Sequence, residues 1–342
     1  MDDAVDTWLE EAISRHERLT EIVTSLVQSL LKQENIEFLT VTGRTKTKQS
    51  ALDKIQRKGY KAPKTQLTDL SGIRVILYFE SQLARASEVI NNAFNVDLSK
   101  SLNRESILSV DQTGYRSYHF VCDLGETRAT LPEFRDLANL KFEFQIRTVL
   151  QHAWAELAHD RNYKLSEKLP RELERSLYLY AGLLELADKG FDSLSREIDK
   201  YITEVNQKTT IGDLDVEINS FSLESFVNQW VDKNGFPLEK ISINSLEELV
   251  NELITYGIQN LKELALIIPE DYAEKALEIN YSTTIYGLIR DWLLIHDWRG
   301  FTSKVQINWG LPAEDGGTEM LSLYLDHNEL VDLIMTINNS ET

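Results

Sequence analysis

A short alternating segment, residues 140–147, constrains the fold more than any other part of the chain. It alternates apolar residues with charged or amide residues: Phe142, Phe144 and Ile146 against Glu143, Gln145 and Arg147. Because successive side chains of a strand point to opposite faces of a sheet, this pattern predicts a half-buried strand. The polar face of that strand is either exposed to solvent or part of a functional site.

Helical and extended patterns alternate over the first 205 residues. Apolar residues at helical spacing predict one or two amphipathic helices over residues 4–33. Further strands are predicted at 36–41, 72–79 and 118–124, and further helices at 82–95, 148–164 and 171–202. Interleaved helices and strands predict an α+β domain, in which helices flank a mixed β-sheet.

The rest of the chain has a different character. The polar segment 206–220 is predicted to be a linker, so residues 1–205 and 221–342 are predicted to be separate domains. The second domain is predicted to be mostly helical. Its predicted helices cover 245–267, 271–279, 284–296 and 327–337, with one predicted strand at 303–309.

Charge is distributed unevenly along the chain. Residues 209–342 hold 7 basic and 23 acidic residues, whereas the first 208 residues hold 29 basic and 32 acidic. Within the first part, residues 40–64 contain eight basic residues and a single acidic one, Asp53. Such a segment attracts polyphosphate or nucleic acid, although many lysine-rich segments are only solvated surface.

Composition excludes several classes of protein. No apolar run approaches the ~18 residues that a membrane-spanning helix needs, so no membrane association is expected. Cys122 is the only cysteine, which excludes an intrachain disulfide and a cysteine-based zinc site. The acidic start of the chain differs from the basic start of a signal peptide. A cytoplasmic protein is therefore predicted.

Two carboxylates are candidates for a metal site. Asp69 directly precedes a predicted strand, and Glu143 lies on the alternating strand. Two carboxylates that converge over a sheet suit Mg²⁺, which binds one or two carboxylates together with nucleotide phosphates. The alternative is that Asp69 caps a turn and Glu143 pairs with a surface cation.

Four motifs follow one another in a fixed order along the first domain. They are Arg44-x-Lys46-x-x-x-Ser50-x-x-x-Lys54, Asp69-Leu70-Ser71-Gly72-Ile73-Arg74, Gly114-Tyr115-Arg116-Ser117-x-His119 and Glu143-Phe144-Gln145-Ile146-Arg147-Thr148. Together they resemble the synthetase domain of RelA/SpoT-type alarmone synthetases, over residues 35–200. Residues 151–164 resemble the short members of that family, which lack the hydrolase domain.

The resemblance implies a reaction and a role for each motif. The family transfers the β,γ-pyrophosphate of ATP to a ribose 3′-hydroxyl of GDP or GTP, makes (p)ppGpp and releases AMP. The implied sets are Arg44, Lys46, Ser50, Lys54 and Arg74 for ATP; Asp69 and Glu143 for Mg²⁺; Asp69, Glu143 and Gln145 for catalysis; and Tyr115, Arg116, His119 and Arg147 for the acceptor.

One position departs from the alarmone-making pattern. Relatives usually place a lysine four residues before the acceptor-stacking tyrosine, where it meets the 5′-phosphates, but this chain has Asp111 before Tyr115. An acidic residue would repel a free di- or triphosphate. The alternative acceptor is the 3′ end of tRNA, which toxic members of the family pyrophosphorylate. A second alternative is an inactive nucleotide-sensing module, although the intact Asp69, Glu143 and basic segment argue against it.

Two hypotheses account for the acidic C-terminal part, residues 209–342. Some toxic members of the family carry a fused antitoxin-like region that restrains the synthetase until a protein trigger removes it. The charge of residues 209–342 suits such a role, because complementary charge favours fast and specific association with a basic segment. The other hypothesis is a helical module that aids solubility or assembles the chain into an oligomer.

Overall fold

The computed structural model describes residues 3–103, 118–164, 170–239, 246–311 and 316–339. The chain divides into two compact units, residues 1–195 and 196–342. The helix that contains this division runs from Arg171 to Thr210, so residues 206–210 of the predicted linker are helical.

One mixed sheet organises the first unit. Its elements are α1 (Asp3–Gln33), β1 (Phe38–Thr45), α2 (Lys48–Lys58), α3 (Pro63–Gln66), β2 (Ser71–Leu77), α4 (Ser81–Ala93), β3 (Asn95–Val96), β4 (Leu102–Asn103), β5 (Tyr118–Asp123), α5 (Gly125–Ala129), β6 (Phe142–Thr148), α6 (Val149–Lys164) and α7 (Arg171–Thr210). Within the described residues the strand order is β1-β2-β6-β5-β3, and β4 also pairs with β5. Strands β2 and β6 are parallel, and the other pairs are antiparallel. The predicted α+β fold with a mixed sheet is confirmed.

The core of this unit lies between the sheet and two helices. Apolar side chains of the central strands are fully buried, as Ile73 of β2 and Phe144 of β6 illustrate. Leu19 and Val23 of α1 and Ile90 of α4 pack into the same cluster. Because the apolar positions of each strand face this core, the polar positions of β2 and β6 are left on the opposite face.

Strand β1 is longer than its sequence suggests. The prediction covered residues 36–41, but pairing with β2 continues to Thr45. Its last residues are polar on both faces, so apolar periodicity gives no sign of this extension. Gly43 makes the close contact between β1 and α1 feasible, since a Cβ atom there would clash with side-chain atoms of Thr24 and Thr20.

Two buried acids fix α7 against the end of the sheet. Thr148, the last residue of β6, donates its hydroxyl to Asp188 Oδ2 at 2.6 Å. One turn further along α7, Asp192 Oδ1 accepts a hydrogen bond of 2.9 Å from the backbone N–H of Ser81, at the start of α4. Burial raises the pKa of Asp188, and the charge of Asp192 adds to this increase.

The second unit is helical around an aromatic core. Its helices are α8 (Ser220–Asn234), α9 (Glu247–Tyr256), α10 (Leu261–Ile267), α11 (Tyr272–Glu278), α12 (Ile285–Lys304), α13 (Gly316–Ser322) and α14 (His327–Asn339). Trp292 is fully buried, and the buried Asp291 accepts hydrogen bonds from the hydroxyls of Tyr272 and Tyr281. The mostly helical character predicted for this region is confirmed. None of the helices among the described residues is both long and apolar enough to cross a membrane.

Two local predictions in this unit were wrong. The strand predicted at 303–309 is absent from the described residues, because α12 continues through Lys304 and residues 305–311 do not pair with another strand. The helix predicted at 245–267 is divided into α9 and α10. Gly257 separates them, since its φ of 122° is far from helical values and favours glycine.

Gly43→Ala tests the close contact between β1 and α1. The added methyl group would meet the two threonine side chains of α1, so we expect the free energy of unfolding to fall by about 1–3 kcal/mol. The measurement is urea denaturation followed by far-UV circular dichroism. Gly190→Ala is the matched control, since a Cβ atom at this position of α7 meets nothing within 4 Å and should be neutral or slightly stabilising. Equal stability of the Gly43→Ala variant and the parent would contradict the close contact.

Candidate active site

Strand β6 has the alternation that its sequence predicts. Its apolar positions are buried, whereas Glu143, Gln145 and Arg147 are partly exposed on the opposite face. Because β6 lies between β2 and β5, this polar face is continued on both sides by neighbouring strands.

The register of the sheet places polar positions of several strands side by side. Gly72 of β2 lies opposite Glu143 of β6, and Arg74 lies opposite Gln145. On the other side of β2, Arg44 of β1 lies opposite Gly72. Side chains at paired positions share one face of a sheet, so these residues form two adjacent rows across three strands.

Helix α2 faces this surface with a polar stripe. Thr47 caps the helix, and its hydroxyl accepts a hydrogen bond from the backbone N–H of Ser50. Residues four and three positions apart lie on one side of a helix, so Ser50, Lys54 and Arg57 share a face.

The sheet face and α2 enclose a cleft of about 320 Å³, which we call the cationic cleft. Its lining comprises five basic residues, three acidic residues and three uncharged ones: Arg44, Lys46, Lys54, Arg57 and Arg74; Asp53, Asp69 and Glu143; and Ser50, Gly72 and Gln145. A cleft with an excess of positive charge favours anionic ligands such as a polyphosphate.

Asp69 lies in this cleft two residues before β2 and is paired with two lysines. Lys54 Nζ lies 2.6 Å from Asp69 Oδ2, and Lys46 Nζ lies 3.2 Å from the same oxygen. The other oxygen, Oδ1, is buried and has no hydrogen-bond partner among the described residues. Burial raises the pKa of Asp69, but the hydrogen bond from Lys54 and the charges of both lysines outweigh burial and lower the pKa below its ordinary value.

Glu143 lies in the same cleft, with different partners. Its Oε1 atom is 3.0 Å from His119 Nδ1 and accepts a hydrogen bond of 3.1 Å from Gln145 Nε2. Burial raises the pKa of Glu143, and the negative charge of Asp69 acts in the same direction. The hydrogen bonds from His119 and Gln145 outweigh both, so the pKa lies below its ordinary value and the side chain is a carboxylate at neutral pH.

The chemistry of this pair of carboxylates fits Mg²⁺. The described residues contain no group of three or more His, Cys, Asp or Glu side chains that would hold a metal ion without further ligands. A site with Asp69 and Glu143 alone therefore needs ligands from a substrate, and Mg²⁺ is usually bound in this way, by one or two carboxylates together with phosphate oxygens. The buried and unpaired Oδ1 of Asp69 is an oxygen suited to this role.

Arg74 and Arg147 lie towards helix α6. Arg74 lines the cationic cleft, and its Nη1 atom forms an ion pair of 2.9 Å with Glu156 of α6. Arg147 lies two positions beyond Gln145 on the same face of β6. Burial lowers the pKa of His152 on α6, and the charges of Arg74 and Arg147 act in the same direction. The negative charge of Glu156 acts in the opposite direction but does not outweigh them.

Part of the predicted acceptor site lies outside the described residues. Tyr115 and Arg116 belong to this part, as does Asp111. His119 was also predicted to bind the acceptor, and its Nδ1 atom contacts the Glu143 carboxylate.

Three residues of the cationic cleft were not among the sequence candidates. They are Asp53, Arg57 and Gly72. The helical spacing of Arg57 from Lys54 and Ser50 was a usable signal for its position. Gly72 could not be found by charge, and among the described residues a Cβ atom there would make only an ordinary contact of 3.9 Å with the Arg44 carbonyl.

Asp69→Asn tests the pairing of this carboxylate with the two lysines. Because the folded-state pKa of Asp69 lies below its ordinary 3.8, the pairing stabilises the fold above pH 3.8 and is lost as pH falls through the folded-state pKa. We expect the variant to be less stable by about 1–3 kcal/mol at pH 7. The difference should shrink as pH falls from about 5 to about 2.

Urea denaturation of both proteins over this pH range measures the effect. In a Lys54→Gln background the pH-dependent part of the difference should be smaller, because one of the two partners of Asp69 is absent. A stability difference that stays constant across the pH range would contradict the pairing.

Comparison with known proteins identifies the region that contains this cleft. Residues 43–168 match the model of the region found in RelA/SpoT proteins. The chain is 28% identical over 160 residues to the GTP pyrophosphokinase YwaC of Bacillus subtilis (strain 168), which covers 46% of this chain and 73% of the relative. It is 27% identical over 166 residues to the GTP pyrophosphokinase YjbM of the same organism, with 48% and 74% covered.

Solved structures resemble the same part of the chain. One is the crystal structure of the small alarmone synthetase 1 from Bacillus subtilis, with 23% identity and a TM-score of 0.47, covering 57% of this chain and 99% of that one. The matched region holds the first, second and fourth of the ordered motifs in the described residues, and their side chains line one cleft. Residues 43–168, within the first of the two units, therefore resemble the region found in RelA/SpoT proteins.

Proposed function

We propose that this protein is an ATP-dependent pyrophosphokinase, which transfers the β,γ-pyrophosphate of ATP to the 3′-hydroxyl of GDP or GTP and releases AMP. The similarity to YwaC and YjbM, both named as GTP pyrophosphokinases, supports this reaction class. The observation that carries the proposal is the cationic cleft, where two ionised carboxylates, Asp69 and Glu143, lie among five basic side chains.

The basic wall of the cleft is suited to the ATP triphosphate. Arg44, Lys46 and Lys54 supply positive charge from β1, the segment after it and α2, and the Ser50 hydroxyl adds a hydrogen-bond donor. Phosphoryl transfer depends mainly on positioning and on stabilisation of charge, which such a cluster provides. The planar guanidinium of Arg74 suits stacking on the adenine, and its ion pair with Glu156 would restrain its orientation.

In the proposed reaction the acceptor 3′-oxygen forms a bond to the β-phosphorus of ATP. The bond between that phosphorus and the oxygen that bridges it to the α-phosphorus breaks, and AMP leaves with the electron pair. Glu143, an ionised carboxylate, would accept the proton of the acceptor hydroxyl. Gln145 and His119 hold the Glu143 carboxylate in one orientation, so we propose that they position this group.

Asp69 and Glu143 would hold Mg²⁺ in this scheme. When bound, the ion would neutralise negative charge that builds up on the transferred phosphates.

A second acceptor is favoured by one position of the sequence. Asp111 replaces the lysine that relatives use for the 5′-phosphates of a free guanine nucleotide, so the 3′ end of tRNA is the alternative acceptor. A polynucleotide end presents a 3′-hydroxyl without a 5′-polyphosphate, and an acidic side chain would not repel it in the same way. The chemistry within the cationic cleft is the same for both acceptors.

An incubation with labelled ATP separates these candidates. The full-length protein is mixed with γ-labelled ATP and Mg²⁺, and with GDP, GTP or bulk tRNA in separate reactions. We expect the label to move to a guanine nucleotide, because the curated relatives are named for that reaction. Transfer to tRNA alone would support the second acceptor. Transfer to none of the three by a folded protein would overturn both and support a nucleotide-sensing module.

Glu143→Gln tests the role of this carboxylate in the transfer step. The amide keeps the size of the side chain but cannot accept the proton, so we expect kcat to fall at least about 100-fold. The KM for ATP should change less than kcat, because Asp69 and the basic residues of the cleft are intact. Glu133→Gln, at an exposed position, is the matched control and should keep full activity. A defect confined to KM would contradict a role in proton transfer.

The other parts of the scheme stay predictions. We propose the cytoplasm as the compartment, since it contains the proposed substrates. The regulatory role of residues 209–342, with a protein trigger, rests on their charge alone, and an oligomerising role is its competitor.

A further inference from the structure

The two oxygens of the Asp69 carboxylate have very different surroundings. Oδ2 is engaged by both lysine ammonium groups, at 2.6 Å from Lys54 and 3.2 Å from Lys46. Oδ1 is buried and has no hydrogen-bond partner in the part of the chain that the structure describes. An ionised carboxylate oxygen that is buried without a partner is costly, because it loses its hydration without compensation. One oxygen of this carboxylate is therefore paired with two cations, and the other has no cation partner among the described residues.

The lysines also determine which ions approach Asp69. Two ammonium groups next to one carboxylate leave an excess of one positive charge at this point. Such an excess repels a bare divalent cation and attracts a polyphosphate. The positive majority among the charged residues that line the cationic cleft acts in the same direction.

The lysine side chains can exchange this partner for another. The side chain of Lys54 is 22% exposed and that of Lys46 is 24% exposed. Each ammonium group lies at the end of a flexible aliphatic chain. Both also line the cleft that is proposed for the triphosphate. A phosphate chain in the cleft offers oxygens that compete with Asp69 for the same ammonium groups.

We infer that Lys46 and Lys54 exclude free divalent cations from Asp69 until the oxygens of a triphosphate bind the two lysines in its place. Metal and nucleotide then enter the cleft together, and the metal does not precede the nucleotide. This inference rests on the proposed function, because it takes the ATP triphosphate as the ligand of the lysines. It assigns the two lysines a second task beyond phosphate binding, which is to exclude the metal from the empty cleft.

A metal titration without nucleotide tests whether the two lysines exclude the metal from Asp69. Free Mn²⁺ is followed by electron paramagnetic resonance during titration of the full-length protein, and its affinity is compared between the parent, Lys54→Gln and Lys46→Gln. We expect Lys54→Gln to bind Mn²⁺ about tenfold more tightly than the parent, because one positive charge next to Asp69 is removed. Lys46→Gln should give a smaller gain, since its ammonium group is further from Oδ2.

Matched variants separate Asp69 from other acidic residues that bind Mn²⁺. Lys58→Gln removes a charge from the exposed end of the same helix and should leave Mn²⁺ affinity unchanged. The gain from Lys54→Gln should disappear in a Lys54→Gln/Asp69→Asn double variant. Unchanged affinity of a folded Lys54→Gln protein, or a gain that persists without Asp69, would overturn the inference. If Lys54→Gln does not fold, as judged by circular dichroism, Lys46→Gln decides by the same criteria.

The titration and the transfer assay fail independently. The titration contains no nucleotide. Unchanged Mn²⁺ affinity would therefore refute metal exclusion by the lysines even if pyrophosphate transfer to a guanine nucleotide occurs. Conversely, the expected changes in Mn²⁺ affinity without transfer to any acceptor would support metal exclusion by the lysines and refute the proposed function.

Discussion

The parallel pairing of β2 with β6 is the constraint on which the candidate site depends. Parallel strands begin at the same edge of a sheet, so the residues around their first positions become neighbours although more than 70 positions separate them in sequence. Asp69 precedes β2 by two residues, and Glu143 is the second residue of β6. Strand β1 ends at the same edge because it is antiparallel to β2, which brings Arg44 and Lys46 to the same place.

The charges in the cationic cleft stabilise one another. Burial alone would raise the pKa of Asp69 and of Glu143, and the charge of Asp69 adds to the increase for Glu143. The lysines prevent this for Asp69, and hydrogen bonds from His119 and Gln145 prevent it for Glu143. Both carboxylates thus stay ionised through contacts with different partners. The same lysines can bind a phosphate chain only if they release Asp69. Ligand binding is therefore linked to the stabilisation that these ion pairs give the fold.

Patterns that depend on one segment could be predicted from the sequence, and patterns that depend on strand pairing could not. The alternation of residues 140–147 predicted the polar face of β6 correctly, because it requires only the period of a strand. The ordered motifs located most of the cleft. The end of β1 was missed because its last residues are polar on both faces. The contact of His119 with Glu143 depends on the register of β5 against β6, which places His119 opposite Gln145 and which a single sequence does not encode in any visible pattern.

The order of the strands also gives the cleft two sides. Across the sheet, Arg44 of β1 and Arg74 of β2 lie on one side of Glu143, and His119 of β5 lies on the other. Helix α2 adds Lys54 to the basic side. In the proposed reaction a triphosphate donor would be drawn to the side with the greater positive charge, and the acceptor would approach from β5. In the proposed reaction Glu143 would then lie at the boundary between donor and acceptor, where the acceptor hydroxyl would lose its proton as it meets the β-phosphorus. The same boundary position would let its carboxylate share a metal ion with Asp69.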